Sequence, residues 1–293
     1  MVENVEKRRD ARYWALRGLR LAVVAYVAVL GFLYIAQAWL IFPGRISQGK
    51  EWARVDRVPE GAELVELKTA AGDPVVAIFG RALDRAGRPR EDAARRPTIL
   101  FFYGNGDCMA HNLDLFRAFR RLGANVLIPD YTGYGMSGGS PGERECAATA
   151  DVALDHLLSR PDVDPSRIVV SGWSLGSGVA VDLASRRPVA GLAIFCAFTS
   201  LVDMARLTYP FIPVSWLLEH RFESESKLGR IECPVLIGHG RVDTIIPFSM
   251  SERLAAVARG PVTFVPVDRG DHNSFFAAGD PVVFEAMGRF LGD

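Results

Sequence analysis

The chain is short of the features that announce a metal, a cofactor or a nucleic-acid partner. Cysteine is scarce, with 4 residues in 293. Cys108, Cys146, Cys196 and Cys233 lie far apart, without CxxC or metal-ligand spacing. That pattern excludes a disulfide scaffold and a zinc ribbon; an oxidising compartment would permit a disulfide, but nothing demands one. Charge of one sign is missing too, since 34 Lys and Arg balance 34 Asp and Glu. No global field then attracts nucleic acid, and no nucleic-acid partner is expected. A GxGxxG phosphate loop between a strand and a helix is absent, which sets aside a dinucleotide-dependent oxidoreductase. Neither metal nor cofactor is expected. The composition does not speak to oligomeric state.

What the chain has instead is apolar bulk, 49% of its residues, and 28 glycines. One large α/β domain with a small extra element fits that length. The compositional anomaly lies near the start. From Leu21 to Phe42 no residue is charged, and Gln37 is the one strongly polar side chain. A helix needs about 20 apolar residues to cross a bilayer, so 21–42 is expected to be a transmembrane anchor. Lys7, Arg8, Arg9, Arg12, Arg17 and Arg20 precede the run, whereas Arg45 and Lys50 are the nearest cations after it. The positive-inside rule places 1–20 in the cytoplasm and the large domain on the other side, periplasmic in a bacterium. Ala36-Gln-Ala38 also has the small-x-small form of a signal-peptide cleavage site, and secretion after cleavage near Ala38 is the alternative. The continuation of the apolar run through Trp39-Leu-Ile-Phe42 favours a retained anchor.

After a connector, 43–61, short β-branched runs alternate with segments of helical spacing. Ala62–Thr69 and Pro74–Phe79 suggest a hairpin-like pair of strands. Thr98–Tyr103, Ala124–Asp130, Ile168–Val170, Val189–Phe195, Pro234–His239 and Val262–Val267 follow as further strands, with helices between them. Such alternation predicts a mostly parallel sheet flanked by helices over 62–293. The rhythm breaks between about 196 and 231, where Tyr209-Pro-Phe-Ile-Pro213 and Trp216-Leu-Leu218 stand. An irregular insertion leaving a strand's carboxyl end falls on the active side of such a sheet, so this segment is expected to be a small lid.

Gly-x-Ser-x-Gly occurs twice. Gly172-Trp-Ser174-Leu-Gly176 directly joins a strand to a helix, the setting of a nucleophile elbow. Gly135-Met-Ser137-Gly-Gly139 sits in loop composition. Context selects Ser174.

Several further segments agree. Tyr103-Gly-Asn-Gly-Asp107 is similar to the His-Gly-x oxyanion loop of the α/β-hydrolase-fold serine hydrolases. Asp130-Tyr-Thr-Gly-Tyr-Gly-x-Ser-Gly-Gly-x-Pro141 resembles their Asp-Tyr-Arg-Gly-Tyr-Gly-x-Ser loop. Pro234-Val-Leu-Ile-Gly-His-Gly-x-x-Asp243 and Gly270-Asp-His272-Asn resemble the acid and histidine segments. From about residue 60 onward the chain thus resembles this family. It is similar in particular to membrane-anchored Bem46-like members, near the α/β-hydrolase-domain lipases and depalmitoylases. Two departures stand out: Tyr103 replaces the loop's His, and Thr132 replaces the usual Arg.

Chain order in this fold runs serine, acid, histidine, which Ser174, Asp243 and His272 obey. Asp268 and Asp271 lie too near His272 in sequence for the family arrangement. His111, His156 and His220 fall in helical or lid positions, and His239 sits at a strand end where it is expected to pack. Backbone N–H groups of Leu175 and Asn105, with Gly106 as fallback, are the expected oxyanion donors. Tyr103, Phe211, Trp216 and Leu217 are the expected pocket and lid residues. With Ile212, Pro213 and Leu218 they suit an acyl or ester substrate, lipid-like if the membrane presents it, although lid-to-core packing accounts for the same residues. The expected activity is hydrolysis of an ester, thioester or amide through an acyl-enzyme. A peptidase or a small-ester esterase stays open, because fold and triad do not fix substrate. The rival of another class is a non-catalytic membrane scaffold, for which Tyr103 is the one hint.

Overall fold

The computed structural model describes residues 2–292, with side chains from Arg12 onward. The cations Lys7, Arg8 and Arg9, used above to orient the anchor, lie outside the described side chains. Helix α1 runs unbroken from Val2 to Ile41, and its stretch Arg12–Ile41 is long and apolar enough to cross a membrane. Pro43 stops it, and tight turns at Pro43–Ser47 and Glu51–Ala53 follow. Phe42, counted with the apolar run on composition, is fully buried in edge contact with His220 and tilted against Phe222.

Strands β1 (Ala62–Lys68), β2 (Pro74–Gly80), β3 (Thr98–Phe102), β4 (Asn125–Pro129), β5 (Ile168–Trp173), β6 (Gly191–Phe195), β7 (Val235–Gly240) and β8 (Val262–Val267) form one sheet in the order β1-β2-β4-β3-β5-β6-β7-β8. β2 is antiparallel to both β1 and β4, and the pairs from β4 to β8 are parallel. β3, β4 and β6 are buried at every position, as continuous apolar runs covered on both faces must be. Edge strand β1 instead alternates between exposed and half-buried residues over most of its length.

Helices α2 (Leu113–Arg121), α3 (Glu143–Ser159), α4 (Leu175–Arg186), α8 (Phe248–Val257) and α10 (Val282–Leu291) flank the sheet. The expected lid segment folds into α5 (Leu201–Thr208), α6 (Val214–Leu217) and α7 (Ser224–Leu228), while the short α9 (Phe275–Ala278) follows β8. Because β3, β5, β6, β7 and β8 run parallel, the segments holding Asn105, Ser174, the lid, Asp243 and His272 all leave the same edge.

Candidate active site

Ser174 caps α4 at the end of β5 with φ 55° and ψ −122°, outside the ordinary regions for an L-residue. The turn is so tight that glycine is required on either side. A Cβ at Gly172 would strike the Gly176 carbonyl, and one at Gly176 would strike the Phe102 carbonyl. Held this way, the Ser174 hydroxyl lies 2.9 Å from His272 Nε2, and His272 Nδ1 lies 2.8 Å from Asp243 Oδ2. The two partners fix the tautomer: Nδ1–H donates to the Asp243 carboxylate, leaving the Nε2 lone pair for the Ser174 proton. Ser174 and His272 are nearly buried, and the Asp243 side chain is closed to solvent.

Asp243 is held from several sides. Its Oδ1 accepts the Ile245 and Ile246 N–H groups at 2.9 and 2.8 Å. His239 Nε2 stands 3.3 Å from Oδ2 and 2.9 Å from the Ile246 carbonyl. A carbonyl only accepts, so His239 carries its proton on Nε2, and Nδ1 accepts from Ser251 Oγ at 2.6 Å. Burial pushes the Asp243 carboxyl up, but hydrogen bonds from His239, His272 and Ile246 outweigh it and hold it below the usual carboxylate range. The other acids near His272 do different work. Asp271 accepts from Thr244 N–H and Oγ1, and Asp268 pairs with Arg241 at the surface.

Leu175 and Asn105 both border the cavity at Ser174. The Asn105 peptide is fastened by its carbonyl, which accepts from Gly44 N–H and Tyr134 Oη at 2.9 Å each. Its side chain donates to the Ile41 carbonyl at 2.9 Å. Thus the end of α1 supports the loop expected to supply an oxyanion donor, through a main-chain contact that no motif marks.

Tyr103 is fully buried beneath that loop and does not border the cavity, contrary to the expectation of a pocket residue. Its hydroxyl donates to Asp130 Oδ1 at 2.8 Å and accepts the Tyr131 N–H, while Tyr131 Oη donates to the Tyr103 carbonyl at 2.7 Å. Asp130 also accepts from the Met109 and Met136 N–H groups at 2.7 Å each. Burial raises the Asp130 pKa in spite of these donors. The place of the family's His is therefore filled by a hydrogen-bonded phenol. Thr132 is buried too, bonded to Thr149 Oγ1. Ser137 is buried with its hydroxyl donating to the Asp130 carbonyl and accepting the Val76 N–H, so the second Gly-x-Ser-x-Gly holds a loop together.

Above Ser174 lies a cavity of ≈ 610 Å³, bordered by Trp173, His272, Ile245, Ile246 and the lid residues Leu201, Met204, Ile212 and Leu217. Leu217 borders this cavity. Phe211 and Trp216 do not: they are 86% and 90% exposed and point away from the cavity, because their neighbours Ile212 and Leu217 occupy the inward positions. Asp107, Cys108 and His111 converge near this edge, but Asp107 is engaged by Cys108 N–H, His111 and Asn112. Burial pushes the Cys108 thiol up to about 11.

A sequence profile described as the alpha/beta hydrolase family matches residues 101–232, from β3 to the end of the lid. An uncharacterised protein of Mycobacterium tuberculosis, Rv2307c, is 35% identical over 273 residues, covering 92% of this chain and 93% of its own. Protein bem46 of Schizosaccharomyces pombe is 31% identical over 248 residues, covering 80% and 78% respectively. An esterase of Pyrococcus furiosus, Pf2001, shares the fold with a TM-score of 0.61 at 16% identity, over 80% of this chain and 91% of its own. The chain belongs to the α/β-hydrolase family, in its Bem46-like branch, and hydrolysis is the activity class that membership carries.

Proposed function

We propose that the chain is a membrane-anchored serine hydrolase that cleaves an acyl ester or thioester through an acyl-enzyme. The hydrogen-bonded line Asp243–His272–Ser174, at 2.8 and 2.9 Å, is the observation that carries this reading. Ser174 Oγ attacks the acyl carbonyl carbon as His272 Nε2 takes its proton. The oxyanion is held by the N–H groups of Leu175, at the positive end of α4, and Asn105. The tetrahedral intermediate collapses, and His272 returns the proton to the departing alkoxide or thiolate. Water then attacks the acyl-serine, giving up a proton to the same nitrogen. The carboxylic acid leaves, and Ser174 is restored. Asp243 keeps the imidazole oriented and stabilises its charged form without itself being protonated.

In this reading, 21–42 crosses the membrane, 1–20 is cytoplasmic, and 62–293 with its lid at about 196–231 is the catalytic domain on the far side. Retention of the anchor is supported by the cavity itself, which includes Leu33 and Gln37. Cleavage near Ala38 would strip both from the site.

Purified full-length protein in detergent is expected to hydrolyse 4-nitrophenyl acyl esters. Ser174→Ala should lower kcat by at least about 10³-fold with an unchanged melting temperature, since the hydroxyl adds little packing. Retained turnover in that variant would overturn the serine mechanism.

A further inference from the structure

The anchor helix does more than end near the catalytic domain. Leu33, Gln37, Leu40 and Ile41 border the same cavity as Ser174. They recur at helical spacing, so one face of α1 is turned to the site over about 12 Å of helix. Gln37, the polar exception of the apolar run, is buried there. Its Oε1 accepts the Glu219 N–H at 2.8 Å, and its Nε2 reaches the Tyr34 and Leu217 carbonyls. Further along, Tyr34 Oη donates to Glu219 and Tyr26 Oη donates to the Phe211 carbonyl. The lid is therefore fastened along α1 from Gln37 to Tyr26.

Tyr26 lies fifteen residues before Ile41, about 22 Å along a helix, against a hydrocarbon core of about 30 Å. From Leu207 to Leu218 the lid carries no charged residue, matching the uncharged run of α1 beside it. Phe211 and Trp216 are exposed on that segment, as are Phe32, Ile35 and Trp39 on α1. An apolar surface of this extent needs a cover, and lipid against α1 covers the lid tip by the same contact.

We propose that α1 is a wall of the substrate site, and that the substrate is a bilayer-resident ester or thioester whose long acyl chain lies along Leu33, Gln37 and Leu40. This rests on the hydrolase reading above and adds to it where the acyl chain goes and what selects its length. With the lid tip and the anchor both in lipid, the chain passes from bilayer to cavity without crossing water.

The test compares kcat/KM for 4-nitrophenyl palmitate and 4-nitrophenyl butyrate, using full-length protein in phosphatidylcholine vesicles. Leu33→Trp fills the cavity along its α1 wall. It is expected to lower the long-to-short ratio by at least about tenfold, as lost apolar pocket contacts do. Ile35→Trp, on the 79% exposed side of α1, should keep the ratio within about twofold. An unchanged ratio in Leu33→Trp, or an equal fall in Ile35→Trp, overturns the wall. A second measurement needs no turnover. In Ser174→Ala, a palmitoyl ester bearing a terminal diazirine should crosslink saturably to peptides holding Leu33 to Ile41. Saturable capture confined to lid peptides overturns the proposal. Capture on α1 by a protein that hydrolyses neither ester keeps the wall and counts against the hydrolase reading alone.

Discussion

Asp243 accepts hydrogen bonds from two histidines and two backbone N–H groups while its side chain is shut off from solvent. Its carboxyl is held below the usual carboxylate range, so the folded protein binds that proton less readily than the unfolded chain does. The stability this contributes is complete above the unfolded value of about 3.9 and is lost as pH falls through the folded one. Thermal melts between about pH 5 and pH 2 should show a steeper acid loss in the wild type than in Asp243→Asn. Equal slopes would contradict the linkage. Tyr103 makes a second residue-scale case. Tyr103→Phe removes one of the three donors to buried Asp130 and also the acceptor of the Tyr131 N–H, leaving Asp130 with the Met109 and Met136 N–H groups. A loss of about 1–3 kcal/mol in urea unfolding is expected, with the hydrolytic reaction retained. A neutral substitution would mean that the phenol does not support the loop.

Among elements, the elbow tolerates least. Gly176→Ala would press a methyl against the Phe102 carbonyl of the neighbouring strand, backbone against backbone. Overpacking of this kind costs about 1–3 kcal/mol or more, and a soluble, fully stable variant would contradict the tightness of the turn. The elbow was legible in the chain because a β-branched strand, two glycines and a helix-forming segment stand in direct succession around Ser174. The segment expected to be a lid stood out as an interruption of the α/β rhythm, and the short helices α5 to α7 lie there, but the facing of its aromatics was not legible. Phe211 and Trp216 look like pocket residues by type, and their lipid-compatible exposure depends on which side of a short irregular segment faces the core. Joining α1 to that lid is Gln37. Gln37→Leu would remove the acceptor of the Glu219 N–H, at a cost of about 0.5–1.5 kcal/mol, and loosen the lid. Faster proteolysis within 207–218 than in wild type is the measurable result.

For the whole molecule, the parallel sheet brings together groups separated by 98 and 29 residues in sequence, Ser174 with His272 and His272 with Asp243. Their order along the chain was enough to anticipate that meeting, since each follows a recognisable strand. The packing of α1 against the cavity at Ser174 was hidden for a physical reason. Cavity-facing Leu33, Leu40 and Ile41 have the same chemistry as the exposed Phe32 and Ile35, so an all-round apolar helix shows no stripe. Gln37 was the one available signal, a polar group in a run where an unpartnered amide is costly. Equally hidden was the service of residues 43–47 to the Asn105 loop, because it rests on backbone groups that any sequence offers.

The central claim is that Ser174 is an activated nucleophile. Labelling of detergent-solubilised full-length protein with a fluorophosphonate reports this directly, since the probe reacts with serines whose proton a base removes. Stoichiometric labelling of the wild type at Ser174, none in Ser174→Ala, and strong reduction in His272→Ala are expected. Folded wild-type protein that takes no label, or label that persists in Ser174→Ala, would contradict it.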